Sequence, residues 1–148
     1  MIKETATMGT LDISEEQIYI FSKGIPGFEE ETEFAVIEVE GGQFSYLQSL
    51  KTDSLSFLLT DPFLFYPEYE FEFPDKDAEE LEIKDAFLVR AIVTVREQLE
   101  QSTVNLLAPI VLNPLNRTGK QIVLVKSQYQ VRQRLWREVR DEAQKGGE

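Results

Sequence analysis

FAVIEVEGGQFSYLQSL, residues 34–50, reads as two short strands around a turn. FAVIEV (34–39) and FSYLQSL (44–50) are rich in Val, Ile, Phe and Tyr, and EGG (40–42) between them is turn-forming. Runs of the same kind recur along the chain: QIYIFS (17–22), LSFLLT (55–60), DPFLFYPEYEFEF (61–73), AFLVRAIVTV (86–95), TVNLLAPIVL (103–112) and KQIVLV (120–125). Turn formers separate them, among them KGIPG (23–27), DP (61–62) and NPLNRTG (113–119). Helical periodicity is almost absent before residue 126. Strands at close spacing without helices between them pair antiparallel and pack as a sandwich or barrel. Closing the sheet also removes edges that would otherwise template aggregation. The expected fold is therefore all-β, a small antiparallel β-barrel-like domain over residues 1–126.

Two segments depart from that period. DAEELEIKDA (77–86) admits a helical turn, with Asp77 as N-cap and acids in the first turn where the helix dipole favours them, as a connector. From Ser127, Val131, Leu135 and Val139 lie four apart beside Trp136, with Arg132, Arg134, Arg137 and Arg140 between. That spacing predicts a short basic amphipathic helix, which with its tail (127–148) closes the same domain as a lid.

The 148 residues carry 27 acids against 15 bases, a net charge of −12. The excess is uneven, with 21 acids and 5 bases in residues 1–88 but 6 acids and 10 bases in 89–148. Such an acidic body repels nucleic acid and anionic membrane and steers cationic partners toward itself. The N-terminus MIKETATMGTLDI has no signal-peptide pattern, and no apolar run has the length of a membrane span, so a soluble cytoplasmic protein is expected.

Chemistry is hard to place. The chain has no histidine and no cysteine, and neither GxGxxG nor GxxxxGK[ST] occurs. The usual general base, thiol nucleophile, thiolate zinc site and phosphate cradle are thus not encoded. DKDAEE (75–80) has alternating carboxylates at Asp75, Asp77 and Glu79, but the calcium-loop positions that want glycine and glutamate hold Glu80 and Ala86. Neither cofactor nor metal is expected, and a carboxylate-dependent enzyme or calcium module is the weakest reading.

A binding protein remains. In DPFLFYPEYEFEF one parity reads Phe65, Pro67, Tyr69, Phe71, Phe73 and the other Tyr66, Glu68, Glu70, Glu72. As a strand, this presents an apolar face to the core and an acidic one to solvent, and Pro67 marks an edge or bulge. Three like charges on one face are mutually unfavourable unless a basic surface relieves them. A solvated edge that resists aggregation is the plainer alternative.

GIPGFE (24–29), FSYLQS (44–49), DPFLFYPEYEFEF (61–73), TVNLLAPIVLN (103–113) and RTGKQIVL (117–124), in this order and spacing, resemble the flagellar assembly factor FliW family. The resemblance covers roughly residues 10–126. It implies a non-catalytic cytoplasmic protein that binds flagellin, at the C-terminal helical part of flagellin, and CsrA, a basic RNA-binding translational regulator. It implies further that the two partners exchange, and that CsrA's RNA binding is antagonised allosterically. A dedicated flagellin chaperone without a role in translation shares the same fold and is the alternative. Candidate partner-binding residues are Tyr66, Glu68, Glu70, Glu72, Asp75 and Asp77, with Phe28 and Phe63 as further candidates. Phe28 has a second reading, as a plug for the barrel end, and Asn105 and Pro109 are read as bend and bulge residues.

Overall fold

The computed structural model describes residues 1–72, 74–84, 86–125 and 127–136. The chain opens with a hairpin of β1 (Ile2–Thr5) and β2 (Gly9–Asp12), which the composition of MIKETATMGTLDI does not advertise. The main sheet follows: β3 (Ile18–Ile20), β4 (Glu33–Glu38), β5 (Phe44–Ser49) and β6 (Ser56–Thr60). A short helix α1 (Asp75–Glu80) precedes β7 (Leu88–Thr94), β8 (Thr103–Val104), β9 (Ile110–Asn113), β10 (Thr118–Gln121) and β11 (Gln133–Arg134).

The hairpin of residues 34–50 forms as read. Val36 stands opposite Leu47, and the reversal runs through Gly41 and Gly42 at φ 103° and 77°, backbone angles that glycine adopts without strain. From there each strand pairs with the next, β3-β4-β5-β6-β7, all antiparallel. On the other side β3 meets β10 in a parallel bridge between Ile20 and Thr118, and β10 pairs antiparallel with β9. Strand β9 then pairs with the first half of β7, closing a barrel of seven strands.

The second half of β7 carries something else. Val93 and Thr94 pair with β8, and β8 in turn with β11. The run TVNLLAPIVL is therefore two strands, not one. Pro109 has no N–H to give a ladder, and the Asn105 side chain accepts the Ala108 N–H at 3.0 Å to shape the bend between them. Those two residues hold the bend that the sequence assigns to them.

Inside the barrel, Phe21, Phe34, Leu47, Leu59, Ile110 and Leu112 form one core, with Phe21 and Phe34 edge-to-face at 5.3 Å. Strand β7 packs on both faces. Ile92 packs toward this core, while Val89, Ala91 and Val93 face outward into a second one, built with Tyr66, Tyr69, Val104, Leu106 and Leu135. A third cluster sets Leu81 and Ile122 on the outer side of Val111.

Three expectations are corrected. DPFLFYPEYEFEF is not a strand over its described residues. Asp61 caps a 3₁₀ turn, Pro62–Leu64, by accepting the Phe63 N–H, and a second tight turn ends with Tyr69 N–H donating to the Tyr66 carbonyl. Its buried residues Pro62, Tyr66 and Tyr69 are spaced by turns rather than by a pleat, and Phe73 lies outside the described residues. Nor do residues 127–136 form a helix. Their backbone is committed elsewhere: the Gln130 carbonyl accepts from Leu106 and Leu107, Leu135 donates to Ser102, and Gln133–Arg134 is a strand. Val131 is exposed and Leu135 buried, so the two do not share a face; Arg137, Val139 and Arg140 lie outside the described residues. Finally, α1 starts at Asp75 after Pro74, which puts Asp77 inside it rather than at its cap.

In GIPGFE, Ile25 and not Phe28 enters the core; Phe28 is half-exposed, edge-to-face with Phe57 at 5.5 Å. Gly24 lies at φ +64°, and a Cβ there would sit 2.6 Å from the Glu29 Cα and the Phe28 carbonyl oxygen. Both obstacles are backbone. Gly24→Ala is expected to cost about 2 kcal/mol or more, from left-handed strain and the clash together, read as a lowered thermal midpoint. An unchanged midpoint would contradict this geometry.

Candidate functional site

The site is built from the segment between β6 and α1. Its turns aim aromatic rings at the outer face of β7, and the tyrosine hydroxyls finish the attachment. Tyr69 is buried and donates to the Leu106 carbonyl at 2.8 Å. Tyr66, also buried, donates to the Arg134 carbonyl. Around them Tyr69 packs edge-on against Tyr129 at 4.7 Å, and Phe65 against Trp136 at 5.3 Å. The Tyr129 hydroxyl accepts the Glu70 N–H at 3.1 Å, so residues 127–136 grip the segment from its far side.

This attachment leaves Glu68, Glu70 and Glu72 exposed. The acidic row of the sequence thus exists, although turns and irregular extended backbone, not a strand, display it. Tyr66 does not stand with it. Because its ring fills the outer core of β7 and its hydroxyl is used, Tyr66 is a support for the row and not part of its surface. Phe63, half-exposed, packs its ring against Tyr69 at 5.7 Å. Glu70 and Glu72 line an open groove of about 550 Å³, whose other wall is Leu124, Val125 and Ser127.

Asp75 and Asp77 both lie in the first turn of α1 but differ in burial. Asp75 is exposed, whereas Asp77 is buried and paired. The Lys120 ammonium from β10 reaches Asp77 and Glu80 at 2.5 Å each, and Lys23 reaches Glu80 at 2.7 Å. Asp77 therefore joins the helix to the barrel. Hydrogen bonds from Lys120 and then Lys23 hold the Glu80 carboxyl below the usual carboxylate range. Burial pushes the Lys120 ammonium down, but its bonds to Asp77 and Glu80 outweigh that and raise it above an ordinary lysine.

Sequence reasoning missed Lys120 and Tyr129. Lys120 sits in a run read only as a strand, and Tyr129 in one read as a helix; an aromatic just before a basic stretch was the available signal for the second. Among the described residues no group of three or more acidic side chains is placed to hold a metal ion. No helix of the described residues is long and apolar enough to cross a membrane.

Comparison with known proteins places this geometry. The family model for the FliW protein matches residues 2–135. The flagellar assembly factor FliW of Desulfitobacterium hafniense (strain Y51) is 47% identical over 148 residues, covering 97% of each chain. That of Bacillus subtilis (strain 168) is 42% identical over 132 residues, covering 87% of this chain and 92% of the relative. A crystal structure of the flagellar assembly factor FliW superposes with a TM-score of 0.86 at 36% identity, over 93% of this chain and 99% of the other.

Two outcomes are expected from the site's supports. Tyr69→Phe leaves a buried carbonyl without its donor and should cost about 1–3 kcal/mol in a denaturant titration. Since Glu80 titrates lower folded than unfolded, its contribution is present above the ordinary carboxylate value of 4.5 and lost as pH falls below it through the folded value. Lys120→Met should lower the midpoint at pH 7 and flatten this part of the acid profile. A Lys120→Met profile parallel to the native one below that value would contradict it.

Proposed function

The chain belongs to the FliW family of flagellar assembly factors, and from that premise we propose that it works as a non-catalytic partner switch in the cytoplasm. One partner is newly made flagellin, bound at its C-terminal helical part. The other is CsrA, the basic RNA-binding regulator that represses flagellin synthesis. Flagellin in excess occupies the switch and leaves CsrA on its mRNA; after flagellin is exported the switch takes up CsrA and relieves repression.

The observation that carries this reading is the exposed row Glu68, Glu70, Glu72 on a segment fixed by buried tyrosines. A protein that binds RNA phosphates presents cations, so an acidic row of fixed shape gains Coulombic attraction and a fast encounter with it. The body behind the row, with a net charge of −12, also raises the cost of bringing RNA phosphates near a bound CsrA. This electrostatic exclusion works together with the allosteric antagonism implied by the family.

Changing Glu68, Glu70 and Glu72 together to Lys is expected to weaken CsrA capture by about tenfold or more, with the loss shrinking at high salt. A thermal melt of the same variant checks that it is folded. Undiminished CsrA affinity in a folded variant would sink the docking role of the row. In a competition pull-down, flagellin and CsrA should be recovered in mutually exclusive fractions. Recovery of flagellin alone would favour the dedicated chaperone.

A further inference from the structure

The extended chain does not stop with β10. Ile122 N–H donates to the Pro109 carbonyl at 2.9 Å and Leu124 N–H to the Leu107 carbonyl at 2.8 Å, continuing the β9–β10 ladder. In an antiparallel ladder alternate residues bond to opposite sides, so the peptide groups of Val123 and Val125 turn to the outer edge. No described residue takes up those groups. The Val123 and Val125 side chains are themselves 57% and 77% exposed. An open apolar edge is a template for another strand, and proteins ordinarily blunt it with charge. Here the charge stands across the groove, as Glu70 and Glu72 facing Val125. Carboxylates there turn away a second copy of so acidic a chain and admit a cationic one.

We propose that the outer edge of residues 121–125 receives an extended segment of the protein partner as an added strand, its backbone on Val123 and Val125 and its Lys or Arg side chains against Glu70 and Glu72. This rests on the partner-docking reading above and adds the manner of docking: main-chain pairing supplies contact and the carboxylates select for charge. Glu70, Phe71, Glu72 and Pro74 then form the far wall that keeps the incoming strand in place.

The test uses the full chain, labelled with ¹⁵N, and a short peptide alternating Lys and Val. Saturating peptide is expected to slow amide exchange at Val123 and Val125 by about tenfold, the mark of amides newly held in hydrogen bonds. Ile122 and Leu124, already bonded, should change little. A peptide N-methylated at alternate residues should lose the protection, and an alternating Glu and Val peptide should not bind. Binding without protection at Val123 and Val125, protection confined to other segments, no binding, or dimerisation of the chain through this edge would each overturn the proposal. Val123→Pro removes one outer donor and leaves the bonds of Ile122 and Leu124 intact. If this folded variant keeps full CsrA capture, strand addition fails while the CsrA reading stands. If the native chain shows the protection but captures no CsrA, the CsrA reading fails and the strand-receiving edge stands.

Discussion

Two tyrosine hydroxyls decide where this protein's acids point. The segment between β6 and α1 carries Pro62, Pro67 and Pro74, none of which can donate to a ladder. It is held by side chains instead, Tyr69 on the Leu106 carbonyl and Tyr66 on the Arg134 carbonyl, with rings filling the outer face of β7. A buried hydroxyl without a partner is costly, so each tyrosine fixes not only its own depth but the backbone on both sides of it. The glutamates in between are exposed as a consequence. A segment held only by its apolar area could slide; one held by two directional bonds to separate elements has a single seat.

That seat depends on how β7 divides its hydrogen bonds. Its first half closes the barrel with β9 and its second half carries β8 and β11. The carbonyl that Tyr66 needs belongs to β11 itself, and the one for Tyr69 lies in the chain just after β8. Residues 127–136 are thus part of the site's frame. An independent lid would not supply an acceptor to a core tyrosine.

The barrel was legible because its strands follow local rules. FAVIEV and FSYLQSL are short runs rich in β-branched and aromatic residues, and the two glycines between them suit a reversal. The outer core was not, and the reason is physical. Once a second layer covers β7, the outward Val89, Ala91 and Val93 are buried while Ile92, which faces the interior, is only partly so, and period two loses its meaning as inside against outside. In 61–72 the alternation of aromatic and acidic residues imitated a strand, while Asp61–Pro62 and Pro67 were the stronger local facts. At 127–136 the spacing of Val131 and Leu135 imitated a helix, but the backbone bonds to Ser102, Leu106 and Leu107 are long-range and leave no trace in a local period. The candidate residues divided accordingly. Glu68, Glu70, Glu72 and Asp75 are on the surface, while Tyr66 and Asp77, which share their neighbourhood in sequence, were drawn inward by partners far along the chain.

The inward acid and the outward ones are linked. Asp77 and Glu80 neutralise Lys120 and tie α1 to the same strand whose continuation forms the groove wall opposite Glu70 and Glu72. Both walls of the groove are therefore anchored to the barrel, one by tyrosines and one by the β9–β10 ladder, with α1 clamped beneath. A charged surface on a mobile loop must give up conformational entropy on binding, about 1–2 kcal/mol for each residue that becomes fixed. Here most of that ordering is done during folding, by the buried tyrosines and the Lys120 ion pairs. The negative potential of the row is then expressed from one fixed geometry, which favours a partner whose cations match its spacing over one that is merely basic.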